Sequence, residues 1–275
     1  MSTPGTGTPI EIGGDGTVLA EQHGHTLLVT LNRPEARNAV NLALTTGVGE
    51  ALEHAEQDAG IWTIILTGAG DKAFCAGADL KAAAAGELTG DDERLRRWGF
   101  AGFVQHAVSK PTIAAVNGFA LGGGTELALA SDLVVAVETA TFGLPEVKRG
   151  IFAGAGGAFR LPRQIPPKIA MEAMLTGRPI TAARAHEIGL VNALAAPDEL
   201  LSVAFALADE INQNAPLAVQ STKRLARGID DGAIAAEDAD WARSGREGKA
   251  LMASADAMEG MRAFAEKRAP QWSGR

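Results

Sequence analysis

The stretch Ala115-Val116-Asn117-Gly118-Phe119-Ala120-Leu121-Gly122-Gly123-Gly124-Thr125-Glu126 decides the reading of this chain. Before it, Ile113 to Val116 reads as a short buried strand. Three consecutive glycines then let the backbone turn tightly and approach a ligand with no Cβ in the way. Behind them, Glu126-Leu127-Ala128-Leu129-Ala130 reads as a helix. Its first unpaired N–H groups come from the glycines, and its start favours negative charge. That is equipment for holding a developing oxyanion. A second stretch, Thr141-Phe142-Gly143-Leu144-Pro145-Glu146, likewise puts a carboxylate just after a bend marked by glycine and proline. The two stretches are read as one site.

Working outward, Thr17 to Glu21 and Thr26 to Asn32 are strand-like runs joined at His23-Gly24-His25, the signature of a hairpin. Asn41 is placed to cap a helix carrying Leu44, Val48, Leu52 and Ala55 on one face, despite Gly47 and Gly49. Trp62 to Thr67 reads as a second buried strand, closed by a turn at Gly68-Ala69-Gly70-Asp71-Lys72. Glu87 to Asp92 is polar and reads as a mobile loop. Asp92 to Val108 reads as one helix with Leu95, Trp98, Phe103 and Val104 buried. Leu133 to Val137 is a further strand. This alternation predicts an α/β core. Beyond Pro166 the strand signals fade, apart from Gly189-Leu190-Val191. Helices are expected from Asp198, with Leu201, Phe205, Ala208 and Ile211 inside, from Pro216, and over Ser254 to Arg268. A domain change is placed near residue 200, and no clean short-period repeat is visible.

The chain has 275 residues, enough for a large core. Its apolar fraction of 46% and charged fraction of 21% are those of an ordinary globular protein. The net charge of −8 argues against a general nucleic-acid surface, while leaving room for a local basic pocket for phosphates. No apolar run approaches the ~18 residues of a membrane helix. The Ser-, Thr-, Pro- and Gly-rich start does not read as a signal peptide, and residues 1–15 are expected to be a disordered tail. The single cysteine, Cys75, excludes an internal disulfide and suits a reducing cytosol.

Taken in order, five motifs resemble the crotonase (enoyl-CoA hydratase/isomerase) superfamily. They are Asn32-Arg33-Pro34; Ala73-Phe74-Cys75-Ala76-Gly77-Ala78-Asp79-Leu80-Lys81; Asn117 to Glu126; Phe142-Gly143-Leu144-Pro145-Glu146; and Gly154-Ala155-Gly156-Gly157. Each is weak singly, and their order and intervals make them specific. The resemblance runs from about residue 17 to the end. It implies a spiral of ββα units over residues 16–199, and a helical C-terminal trimerisation region over 200–275. It also implies trimers, often paired into hexamers, and acyl-CoA thioesters as substrates. No metal or cofactor beyond the coenzyme A of the substrate is implied. Within the family, Asp79 to Glu87 and Phe264 to Pro270 look most like carnitinyl-CoA dehydratases, and almost as much like hydratases of bulky steroid side-chain thioesters.

Residue by residue, the resemblance places an oxyanion hole at the N–H groups of Ala78 and Gly123. Acyl-CoA contacts are placed at Ala36, Ala76, Ala78, Asp79, Leu80, Lys81, Gly122 and Gly123, with Lys267 reaching CoA across a subunit interface. Glu126 and Glu146 are the two carboxylates that hydration needs, one to take a proton from water and one to give a proton to the α-carbon. The helix dipole predicts an ionised Glu126 as the base. The apolar neighbours Phe142 and Leu144 predict a raised pKa and the acid role for Glu146. Three departures from the family pattern touch the acyl pocket: Ala153 for a proline, Ala158-Phe159 for Thr-Gln, and Thr125 for the frequent Cys.

Other readings fit less well. Gly68-Ala69-Gly70-Asp71-Lys72-Ala73 formally matches a dinucleotide fingerprint, but the residues after it do not open a helix as that motif requires. Cys75 has no histidine near it in sequence and reads as a core residue. The five histidines show no metal-ligand spacing, and Gly-x-Ser-x-Gly does not occur. A non-catalytic CoA-binding protein would have no use for both glutamates.

Overall fold

The computed structural model describes residues 6–13, 15–86, 90 and 92–275. At the N-terminal edge, β1 (Thr8–Pro9), β2 (Val18–His23) and β3 (Thr26–Leu31) pair antiparallel, with the expected hairpin between β2 and β3. The first fifteen residues are therefore not simply a tail. The Ile10 N–H donates to Ala20 O at 2.9 Å, the Gly13 N–H donates to Glu50 at 2.7 Å, and Ile10 and Ile12 pack against the core. Edge pairing and two apolar contacts outweigh the flexible composition; residues 1–5 and 14 lie outside the described residues.

Next comes α1 (Leu42–Gln57), capped as expected by the Asn41 side chain accepting from the Leu44 N–H at 3.0 Å. Its stripe of Leu44, Val48, Leu52 and Ala55 is fully buried. The two glycines of α1 mark close approach: a side chain at Gly49 would overlap the Trp98 ring, and one at Gly47 would press on Val18.

The central part repeats a pattern. β4 (Thr63–Gly68) and β5 (Ala73–Cys75) are followed by α2 (Leu80–Ala85) and α3 (Glu93–Trp98). β6 (Thr112–Val116) and β7 (Phe119–Leu121) are followed by α4 (Gly123–Ala130). β8 (Leu133–Val137) and β9 (Thr141–Gly143) are followed by a 3-10 turn, Pro145–Arg149. Then come α5 (Gly157–Gln164), α6 (Pro167–Thr176), β10 (Ile180–Thr181), α7 (Ala182–Glu187), β11 (Ala193–Ala195) and α8 (Leu200–Asn212). The large sheet has the order β1-β2-β3-β4-β6-β8-β11 and the small sheet β10-β9-β7-β5. Each strand pair thus sends its first member to the large sheet and its second to the small one, which is the implied α/β spiral. From β3 to β11 the large sheet is parallel. Every residue of β4 and β6 is buried, as expected for parallel strands covered on both faces.

Three expectations are corrected. The single helix over Asp92 to Val108 stops at Trp98, because Gly99 (φ 72°, ψ −161°) breaks it; a short turn with Ala101 at φ 57° follows. Trp98, Phe103 and Val104 are still buried. The late strand is Ala193–Ala195 rather than Gly189-Leu190-Val191; Gly189 has φ 82° and ends the preceding helix instead. The helix after Asp198 does not open a separate region. α8 buries Leu200, Ala204, Phe205 and Ala208 in the same core, and Asn212 bonds Thr63 and Thr26. Of the loop expected at Glu87 to Asp92, residues 87–89 and 91 lie outside the described residues. The C-terminal helices are α9 (Pro216–Arg227), α10 (Asp238–Met252) and α11 (Ala255–Ala265).

Candidate active site

Three neighbouring parallel strands deliver the site. β5, β7 and β9 lie side by side in the small sheet, with Cys75 opposite Ala120 and Leu121 opposite Gly143. Their carboxyl ends run into Ala76-Gly77-Ala78, Gly122-Gly123 and Leu144-Pro145-Glu146 respectively. This pairing brings together Glu126 and Glu146, which are 20 residues apart in sequence.

The expected oxyanion-hole positions, Ala78 and Gly123, lie on two backbone turns. Gly77 lies so close to the turn after β7 that a Cβ on it would stand 3.1 Å from Leu121 O and 3.3 Å from the Gly123 nitrogen. That packing brings the segment holding Ala78 against the turn that holds Gly123. No loop or cap hydrogen bond among the described residues uses the Ala78 or the Gly123 N–H. Gly122 adopts φ 57° and ψ −122°, a conformation that a side chain resists, and its own N–H bonds Gly143 O at 2.8 Å. A Cβ on Gly123 would overlap the Phe100 ring. The Thr125 hydroxyl accepts from the Gly143 N–H at 2.9 Å and lies 2.7 Å from Ala120 O, locking α4 to β7 and β9.

Both carboxylates flank this turn. Glu126 is 3% exposed, and its Oε1 accepts from the Gly157 N–H at 2.8 Å. The Ala155 N–H is a second donor to it. Glu146 Oε1 faces Gly122, 3.0 Å from where a Cβ there would lie; its Oε2 is sealed from solvent with no partner among the described residues. Burial pushes Glu126 up to about 8, reinforced by the charge of Glu146 and opposed by the Gly157 and Ala155 N–H groups and Arg160. Burial likewise pushes Glu146 up to about 7. The expectation of a readily ionised Glu126 is therefore corrected: loss of water at a fully buried carboxylate outweighs a helix-terminus dipole. Two such values, about one unit apart, belong to the pair, which holds about one proton between pH 7 and 8.

Other expected contacts divide. The segment with Ala36 runs beside Ala76 to Asp79: the Ala76 N–H bonds Arg37 O at 3.1 Å, and the Val40 N–H bonds Gly77 O at 2.8 Å. Asp79 caps α2 through the Lys81 and Ala82 N–H groups and pairs with Arg33 at 3.0 Å, so its carboxylate is already engaged. Leu80 and Lys81 are exposed on α2. Lys267 is exposed just past α11 at φ 52°, where its N–H bonds Phe264 O at 3.2 Å. Cys75 is buried with its thiol pushed up to about 12, mainly by burial, so it stays a neutral thiol.

Sequence reading missed three contributors. Phe100 packs against Gly123 and lines an open cleft of about 890 Å³ with Val40, Leu42, Leu95 and Gln105. The Ala155 and Gly157 amides hold Glu126. Arg160 is buried one turn further along α5. Arg160 was visible as a helical stripe, since Gly157, Arg160 and Leu161 share the buried face. A second cleft of about 850 Å³, lined by Ile151, Phe152, Gly154 and Trp241, adjoins the loop that holds Glu126. Among the described residues no cluster of His, Cys, Asp and Glu forms a metal site.

Known proteins resemble this chain in sequence and in fold. The family model described as enoyl-CoA hydratase/isomerase matches residues 21–275. A carnitinyl-CoA dehydratase of Salmonella arizonae is 44% identical over 256 residues, covering 92% of this chain and 97% of that protein. The crystal structure of a carnitinyl-CoA hydratase from Mycobacterium avium is 55% identical, with a TM-score of 0.92, over 95% of this chain and 100% of that one. An enoyl-CoA hydratase from Mycobacterium tuberculosis H37Rv is 47% identical, with a TM-score of 0.73, over the same shares. With its sequence motifs, two-sheet spiral and full-length relatives in agreement, the chain belongs to the enoyl-CoA hydratase/isomerase family.

Proposed function

We propose that this protein adds water to, or removes it from, the α,β-double bond of an acyl-CoA thioester. The observation that carries this reading is the pair of buried carboxylates on either side of two unengaged N–H donors. In hydration, Glu126 takes a proton from water while the water oxygen bonds the β-carbon. Negative charge moves to the thioester oxygen, where the Ala78 and Gly123 N–H groups receive it. Donors of this kind are worth about 3–4 kcal/mol each in the transition state. Glu146 then gives its proton to the α-carbon. Glu126 has gained one proton and Glu146 has lost one, so the pair starts and ends with a single proton. No electron is transferred to or from the carbon skeleton overall, so the reaction as written calls on no redox group.

The division of roles rests on hydrogen bonding. Burial raises Glu126 to about 8, above Glu146 at about 7, so the resting pair keeps its proton chiefly on Glu126. The reactive form carries it on Glu146, whose unpartnered Oε2 suits a protonated acid, while the Gly157 and Ala155 N–H groups hold the ionised Glu126. CoA contacts at Ala36, Ala76, Leu80, Lys81 and Gly122 belong to the proposal, as does Lys267 acting from a neighbouring subunit. A homotrimer, or a hexamer of two trimers, is supported by the exposed Met252, Met258, Met261 and Phe264 on α10 and α11. A cytoplasmic role in acyl-CoA breakdown completes the reading, and a free Cys75 is compatible with a reducing compartment.

The test is incubation with crotonyl-, crotonobetainyl- and steroid side-chain enoyl-CoA thioesters, with products identified by mass. A product heavier by one water, with loss of the conjugated thioester absorbance, is expected for at least one. Double-bond migration with no mass change in every case would replace hydration with Δ3,Δ2-isomerisation.

A further inference from the structure

Arg160 is a buried cation that the reaction above does not use. It is 2% exposed. Its Nε and Nη2 form a fork onto Glu237 at 3.0 and 2.6 Å, and Nη2 also reaches Val104 O at 2.6 Å. The guanidinium carbon lies 5.4 Å from the Trp241 ring centre and 5.7 Å from that of Phe159, and Trp241 Nε1 donates to Glu237 at 3.3 Å. The remaining nitrogen, Nη1, is buried with no partner among the described residues.

The position of Nη1 is informative. It stands 3.2 Å from where a Cβ on Gly156 would lie. Gly156 sits between Ala155 and Gly157, whose N–H groups hold Glu126. A plain clamp between α5 and the start of α10 would not need this. Arg163 and Asp240 already join the same two helices at 2.6 Å. A buried, half-satisfied guanidinium is costly, and its open side is turned to the loop beneath the carboxylate.

We propose that Arg160 and Glu237 are a positioning pair for Glu126: the fork seats the Ala155–Gly157 loop, and the open face of the guanidinium sets how readily Glu126 gives up its proton. The inference rests on the hydratase reading. The other groups facing Glu126 are Glu146, which opposes its ionisation, and Cys75, a neutral thiol on β5. Arg160 is thus a cation acting on Glu126, and Glu237 tempers it from the far side.

The two partners therefore pull in opposite directions. The acidic limb of kcat/KM reports ionisation of the base. In Glu237→Gln the guanidinium loses its counter-charge, so this limb should move to lower pH. In Arg160→Met the cation is gone, so it should move to higher pH, each by about 1 unit. KM for the thioester should hold, because neither side chain touches the hole. A clamp without electrostatic reach would lower the melting temperature in both and leave the limb in place. That result, or a shift of the same sign in both, overturns the proposal. If Arg160→Met does not fold, the direction of the limb in Glu237→Gln alone decides. Glu126→Gln, run alongside, separates the two levels. If it keeps turnover, the hydratase reading falls and this inference with it. If it is dead while the limbs stay put, only this inference falls.

Discussion

At the scale of single residues, the proposed mechanism turns on one proton shared by Glu126 and Glu146. Below about pH 7 both glutamates carry a proton and no base remains; above about pH 8 both are ionised and no acid remains. The pH profile of kcat/KM should therefore be a narrow bell centred between these values, measurable with any thioester that turns over. Glu126→Gln and Glu146→Gln should each cost about 10²–10⁴-fold in kcat. The double variant should lose far less than the product of the two, because the carboxylates act in one transition state. Exchange of the α-protons of a saturated acyl-CoA in deuterated water assigns the roles. It should fail in Glu146→Gln and persist in part in Glu126→Gln; the reverse would swap them. Stability should move the other way. A carboxyl raised from 4.5 to about 8 holds a proton in the folded chain that the unfolded chain has already lost. Stability therefore drains as pH rises from about 4.5 to about 8. Glu126→Gln removes that drain, so it should melt higher than the parent at pH 8 to 9 and gain little near pH 4.5.

At the scale of elements, local signals were legible and long-range ones were not. Asn41 announced α1, the glycine run announced the turn into α4, and Ser254 announced α11. Asn41→Ala should lower stability by about 1 kcal/mol by thermal or urea melting, while leaving kcat unchanged. Gly123→Ala is the contrasting case. Its methyl would collide with Phe100 beside the hole, so kcat should fall even where the variant remains folded. The helix over Asp92 to Val108 was misread because its apolar spacing continued across Gly99, where the backbone turns away. Glu126 was misread for a related reason. The dipole is a property of its own helix, visible in sequence, whereas the burial that overrides it comes from α5, some thirty residues later. Arg160 went unnoticed because its importance lies in Glu237 and Trp241, which are far from it in sequence.

At the scale of the whole molecule, the family motifs made the α/β spiral readable, and the sheet order explains why those motifs stand where they do. The C-terminal helices remain the exposed part, with Leu217, Leu225, Met252, Met258 and Met261 all turned outward. Light scattering at micromolar concentration should give a mass that is a multiple of three protomers; a monomer would refute the assembly. The lineup of β5, β7 and β9 has another consequence. Each strand hands over one component: the first N–H donor, then the second donor with one carboxylate, then the other carboxylate. The components sit at the ends of three separate strands of one frame. Genetic change can therefore edit them one at a time. A descendant that lost the loop residue after β9 would still polarise a thioester and could be recruited to proton shuffling, bond cleavage or mere storage of acyl groups. The architecture is a rack with interchangeable tools, and in the proposed reading water addition is the setting that two glutamates select.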